Sequence, residues 1–111
     1  MEINRISEGN ITVLSLKGNL LGEKDSEPIL NTIHNSIDNG SNQFVVNLES
    51  LQYINSTGLS VLLTILTKSR NAGGNMCIFN VPEQLQKLLT ITQLDKVFPI
   101  ADSLEAAKET F

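Results

Sequence analysis

The chain has 111 residues, 41% of them apolar, and a formal net charge of −4, which suits one domain core and is too little for two. Acids and bases are interleaved, so the clustered cationic surface that nucleic-acid binding needs is missing. No apolar run approaches the roughly 20 residues that span a bilayer. Met1-Glu2-Ile3-Asn4-Arg5 has neither the basic start nor the apolar stretch of a secretion signal, and a cytoplasmic location is expected.

Ile3 to Ser7 and Ile11 to Lys17 read as two strands joined by a tight turn at Glu8-Gly9-Asn10, with Gly18 ending the second. Asp25 or Ser26 offers a helix N-cap, with Glu27 and Pro28 in the first turn, where a missing N–H costs nothing. Ile29, Leu30, Ile33 and Ile37 recur at helical spacing until Gly40 supplies a stop. Phe44-Val45-Val46-Asn47-Leu48 is short, β-branched and apolar on both sides, as in a central strand covered on both faces.

After a loop, Leu59, Leu62, Leu63 and Leu66 mark a second helix, widened by Val61 and Ile65. Lys68 and Arg70 fall in its last turn, as the macrodipole prefers, and Gly73-Gly74 closes it. Met76-Cys77-Ile78-Phe79 is another buried strand. Pro82-Glu83 opens a third helix carrying Leu85, Leu88 and Leu89. Val97-Phe98-Pro99-Ile100 reads as a short edge strand, given its proline, and Asp102 or Ser103 caps a last helix through Ala106 and Ala107.

The expected order is β-β-α-β-α-β-α-β-α over one domain, residues 1–111. Strands alternating with helices imply a mostly parallel α/β sheet joined by right-handed crossovers, with an antiparallel hairpin at the N-terminus.

Enzyme signatures are missing from this order. There is no phosphate-binding glycine motif at a helix start, since Gly73-Gly74 follows a helix. His34 lies beside the apolar stripe of the first helix, with no nucleophile or orienting acid placed for it. Metal ligation needs clustered His, Cys or carboxylates, and here the carboxylates are scattered. Cys77, the lone cysteine, reads as a buried reduced thiol. The expectation is a non-enzyme without cofactor or metal.

One segment is unusual: Tyr53-Ile54-Asn55-Ser56-Thr57-Gly58-Leu59. Ser56 or Thr57 is the natural N-cap of the most apolar helix. Gly58 in the first turn costs up to about 1 kcal/mol of helix propensity against alanine, which points to close approach of backbone or a partner. Phosphate on Ser56 would add about −1.5 to −2 charges at the positive end of a helix dipole, where free N–H groups hold it with little rearrangement. On these grounds alone the segment is an ordinary cap.

Over nearly its whole length, and most densely from Val45 to Leu63, the chain resembles the STAS-domain family, in particular the stand-alone anti-sigma-factor antagonists of bacteria. The family pattern there is an apolar strand, a short loop, then Asp-Ser-Ser/Thr-Gly-Leu-x-x-Leu. Gly18-x-Leu20, Ala72-Gly73-Gly74, and Leu88 with Thr92-x-Leu94-Asp95-Lys96-Val97-Phe98 match in order. The resemblance implies a protein-binding switch: an anti-sigma factor that is also a serine kinase binds the unphosphorylated antagonist, phosphorylation breaks the complex, and a phosphatase resets it. It makes Ser56 the phosphorylation site and implies a partner-binding surface of Leu21, Gly22, Asn55, Ser56, Thr57, Gly58, Leu59 and Ser60, on a protein that is monomeric when free. Three positions depart from the pattern: Asn55 replaces the family's Asp, Leu21 an acid, and Gln93 a frequent Gly.

Two other readings fit the residues. An unphosphorylated scaffold or transporter-associated STAS subunit suits Asn55 and Leu21. A domain binding a hydrophobic ligand would need a sizeable apolar cavity, whereas the dense Leu/Ile/Val pattern reads as a filled core.

Overall fold

The computed structural model describes all 111 residues. Its strands are β1 (Glu2–Glu8), β2 (Ile11–Leu20), β3 (Gln43–Asn47), β4 (Leu51–Ile54), β5 (Asn75–Phe79) and β6 (Ile100–Ala101). Its helices are α1 (Glu23–Asp38), α2 (Ser56–Asn71), α3 (Glu83–Ile91) and α4 (Leu104–Lys108). The sheet runs β1-β2-β3-β5-β6; β1 and β2 are antiparallel, and the remaining pairs along that path are parallel. This is the expected α/β domain, with one strand more.

The additional strand is β4, in a stretch whose sequence predicts a loop. Its burial does not alternate, Leu51 and Ile54 being buried and Gln52 and Tyr53 exposed, so no period-2 signal marks it. It pairs in parallel with the end of β2, Leu20 opposite Ile54, across an irregularity between Gly18 and Asn19. Gly18 therefore does not end β2. It takes a φ of +112, a conformation open to glycine, and lets the strand bend and run on to Leu20.

Two further boundaries differ from expectation. α1 starts at Glu23 with Gly22 as N-cap, ahead of Asp25 and Ser26. The Leu21 N–H donates to Asp25 Oδ2 (3.0 Å), and Ser26 Oγ donates back to the Glu23 carbonyl (2.8 Å). Pro28 thus lies inside the helix, where its missing N–H leaves the Lys24 carbonyl without its helical donor. Near the C-terminus, Val97, Phe98 and Pro99 are outside β6. The chain turns through a 3-10 segment, Leu94–Lys96, and Val97 and Phe98 both donate to the Leu94 carbonyl. The edge strand is left with Ile100 and Ala101. Ser103 caps α4 as expected, accepting from the Ala106 N–H at 3.1 Å.

The sheet is covered unequally. Leu14, Leu16, Phe44, Val46, Met76 and Ile78 pack against α1, α2 and α3 in the main core. Val13, Val45, Cys77 and Phe79 face the other way, under Ala107 of α4. The β3 residues alternate between these clusters, which is why Phe44-Val45-Val46 is apolar throughout. No helix is long and apolar enough to cross a membrane.

Candidate functional site

The parallel strands β2 and β4 end side by side, and the chain leaves both at the same edge: β2 into the Leu21–Gly22 turn, β4 into α2. This brings the two predicted stretches together. The N-cap of α2 is Asn55, not Ser56 or Thr57. Asn55 Oδ1 accepts the Gly58 N–H at 3.0 Å, while Nδ2 donates to the Leu21 carbonyl at 2.8 Å. The geometry is ordinary N-capping, with the acceptor three residues before the donor. An amide performs both tasks because it carries donor and acceptor together.

Ser56 and Thr57 are then the first two helical residues, both exposed. With Gly58 N–H engaged by Asn55, the Ser56 and Thr57 N–H groups have no intrahelical acceptor and face the helix end. Ser60 is exposed one turn on, its hydroxyl donating to the Ser56 carbonyl at 3.0 Å. Gly58 and Leu59 are buried, so they shape the surface from beneath. Ile54 and Leu20 press against Gly58, which accounts for the glycine in a first turn.

Leu21 is 41% exposed, and both its backbone polar groups are engaged, the N–H by Asp25 and the carbonyl by Asn55. Gly22 beside it is half-buried. The role of Asp25 was missed in the sequence, although a carboxylate three residues after Gly22 is the spacing by which a first-turn acid reaches back to the backbone. Also missed was a groove of about 500 Å3 lined by Ile54, Glu83, Gln84, Lys87, Leu88 and Ile91, with Ile91 80% exposed. Its signal was Ile91 itself, apolar at the very end of an amphipathic helix. Tyr53, 58% exposed, precedes Ile54 on β4.

His34 is exposed on α1 and, with Lys68, lines a cavity away from Ser56. No group of three or more His, Cys, Asp or Glu is placed to hold a metal ion. The site around Ser56 therefore has exposed hydroxyls, unengaged N–H groups and apolar side chains, and the residue before the serine is an amide and not an acid. What it offers chemically is an exposed surface with a hydroxyl that no other side chain engages.

A family model for the STAS domain matches residues 2–107. BtrV of Bordetella bronchiseptica, a protein named as an anti-sigma factor antagonist, is 31% identical over 75 residues, covering 68% of this chain; the match spans 65% of BtrV, just short of two thirds. The crystal structure of a Thermotoga maritima protein named in the same way shares the fold with a TM-score of 0.88 at 20% identity, over 97% of this chain and 92% of that one. The Bacillus cell fate determinant SpoIIAA in its phosphorylated form shares it with a TM-score of 0.76 at 20% identity, over 99% and 100% of the two chains. With the family model spanning almost the whole length, the chain belongs to the STAS domain family.

Proposed function

We propose that this protein is an anti-sigma-factor antagonist acting as a phosphorylation-controlled binding switch in the cytoplasm, with no catalytic activity of its own. The unphosphorylated chain holds an anti-sigma factor that is also a serine kinase, and phosphate on Ser56 releases it until a serine phosphatase removes the group. The free protein is a monomer.

The observation that carries the reading is the setting of Ser56. It is exposed at the first position of α2, its hydroxyl takes no part in the cap, and unengaged N–H groups lie at the helix end beside it. A phosphate there gains from those donors and the helix dipole without disturbing the fold, so the modification acts on the surface. Named relatives support the role: BtrV carries the name of an anti-sigma factor antagonist, and SpoIIAA is known in phosphorylated form.

The test is an affinity pulldown from host lysate with the wild type and with Ser56→Asp, followed by incubation of the recovered kinase with wild type and Ser56→Ala. The reading expects an ATP-binding kinase on the wild type alone, and phosphate on the wild type but not on Ser56→Ala. Asn55 and Leu21 favour a second reading, an unphosphorylated scaffold or transporter-associated subunit, because neither position carries the acid of the family pattern. Equal recovery of a transporter subunit by both proteins decides for the scaffold.

A further inference from the structure

The polar groups nearest Ser56 are already committed within the chain. Asn55 spends Oδ1 on the Gly58 N–H and Nδ2 on the Leu21 carbonyl. Asp25 turns its carboxylate to the Leu21 N–H. Leu21, with its backbone groups engaged, presents only its isobutyl side chain to the outside. A separate groove, lined by Ile54, Leu88 and Ile91, offers further apolar side chains. Glu83 at the groove is paired with Lys87 at 3.5 Å, and Glu23, Lys24 and Asp25 follow Leu21 in the chain.

On the reading that the Ser56 surface binds an anti-sigma factor, we propose that it does so through an uncharged, apolar patch of that partner, with Leu21 as the anchor. Asn55 is the positioning residue that holds Leu21 in place. It follows that phosphate on Ser56 breaks the complex because a dianion would be buried in a neutral interface with no counter-charge, and not because a partner acid repels it. Burying an unpaired charge forfeits its hydration, and a neutral surface returns nothing for it. The helix N–H groups belong to this chain and meet the phosphate in both states, so what the complex takes from it is water.

Salt separates the two causes. Repulsion between surface charges is screened as ionic strength rises, whereas desolvation of a buried charge is not. Binding of the host's anti-sigma factor is measured at about 50 and 500 mM NaCl, where the Debye length falls several-fold. The chains compared are wild type, Leu21→Met, Leu21→Asp, Asn55→Asp and Ser56→Asp. The wild-type Kd is expected to change by less than about threefold across that range, and Leu21→Met to stay within about threefold of it. Leu21→Asp is expected to weaken binding at least about tenfold, and the loss caused by Ser56→Asp to persist at high salt. Asn55→Asp keeps the acceptor for Gly58 but sets a carboxylate oxygen against the Leu21 carbonyl. It is expected to weaken binding while still melting cooperatively, at a midpoint lowered by the loss of the Leu21 bond. Melting curves show which variants fold; should Leu21→Asp melt early, Leu21→Ser takes its place.

A wild-type Kd that rises tenfold or more with salt, a Leu21→Asp protein that binds as the wild type does, or a Ser56→Asp loss that vanishes at high salt overturns apolar recognition and leaves the switch standing. Ser56→Asp binding like wild type at both salts, or no complex at all, overturns the switch and this inference with it.

Discussion

A β-carbon on Gly58 would stand 2.2 Å from the Leu20 carbonyl oxygen, so the first turn of α2 and the end of β2 meet backbone to backbone. Ile54 Cγ1 closes the same space at 2.7 Å. The contact fixes the start of α2 relative to the Leu21–Gly22 turn that follows Leu20, and with it the spacing of the two halves of the site.

Gly58→Ala is therefore expected to destabilise the protein. Alanine gains about 1 kcal/mol of helix propensity, but the obstacle is backbone and cannot swing away as a side chain would. Displacing the turn costs more than the propensity gain, leaving a net loss of roughly 1–3 kcal/mol. A urea midpoint equal to or above that of the wild type would refute the contact.

Asn55 and Ser56 are adjacent but differ in what they hold. Asn55→Ala removes the α2 cap, worth about 1 kcal/mol, and the bond to Leu21, worth about 1 kcal/mol more. A loss of roughly 2 kcal/mol is expected in urea titration. Ser56→Ala touches no side-chain hydrogen bond and should stay within about 0.5 kcal/mol of wild type, since Ser60 bonds to the Ser56 backbone carbonyl, which alanine keeps. The reverse order of losses would return the cap to Ser56.

These two residues also show where the sequence was legible and where it was not. Apolar periodicity placed the strands and helices that fill the core, because Phe44, Leu62 or Ile78 carry the burial that defines them. Family motifs placed Ser56 at a helix start. What sequence did not resolve were features set by a partner segment distant in the chain. β4 exists because β2 runs past Gly18 to meet it, and Asn55 takes the cap because Leu21 accepts its second bond. Capping statistics favour Asn as strongly as Ser, so only the geometry distinguishes neighbouring candidates.

Gln93 holds a φ of 61 just after α3, the left-handed conformation in which a helix commonly ends on glycine. A side chain there costs about 1–2 kcal/mol, and glycine's greater freedom when unfolded returns about 0.5–1 kcal/mol of that. Gln93→Gly is expected to raise stability by up to about 1 kcal/mol. A lowered thermal midpoint would show that the Gln93 side chain makes a contact outweighing the strain.

Thr12 is fully buried on β2, and its hydroxyl has no hydrogen-bond partner. An unpaired buried hydroxyl costs roughly 1–3 kcal/mol, and valine keeps the branched shape that a strand favours. Thr12→Val should stabilise the protein by about 1 kcal/mol, read as a higher urea midpoint at unchanged slope. A loss of stability would mean that the hydroxyl is satisfied in solution.

Cys77 links the core to pH. Burial under α4 pushes its thiol above the usual range, while a weak bond from the Thr110 hydroxyl works the other way. In the unfolded chain the thiol ionises near about 8.5. Above that pH the unfolded state sheds a proton that the folded state keeps. The native state then binds more protons, and stability falls as pH rises. The contribution is complete below the unfolded value and is lost progressively toward the raised folded one. Between about pH 8 and 10 the wild-type urea midpoint should therefore fall more steeply than that of Cys77→Ala. Equal slopes would place the thiol in contact with water, and would require α4 to open readily from the sheet.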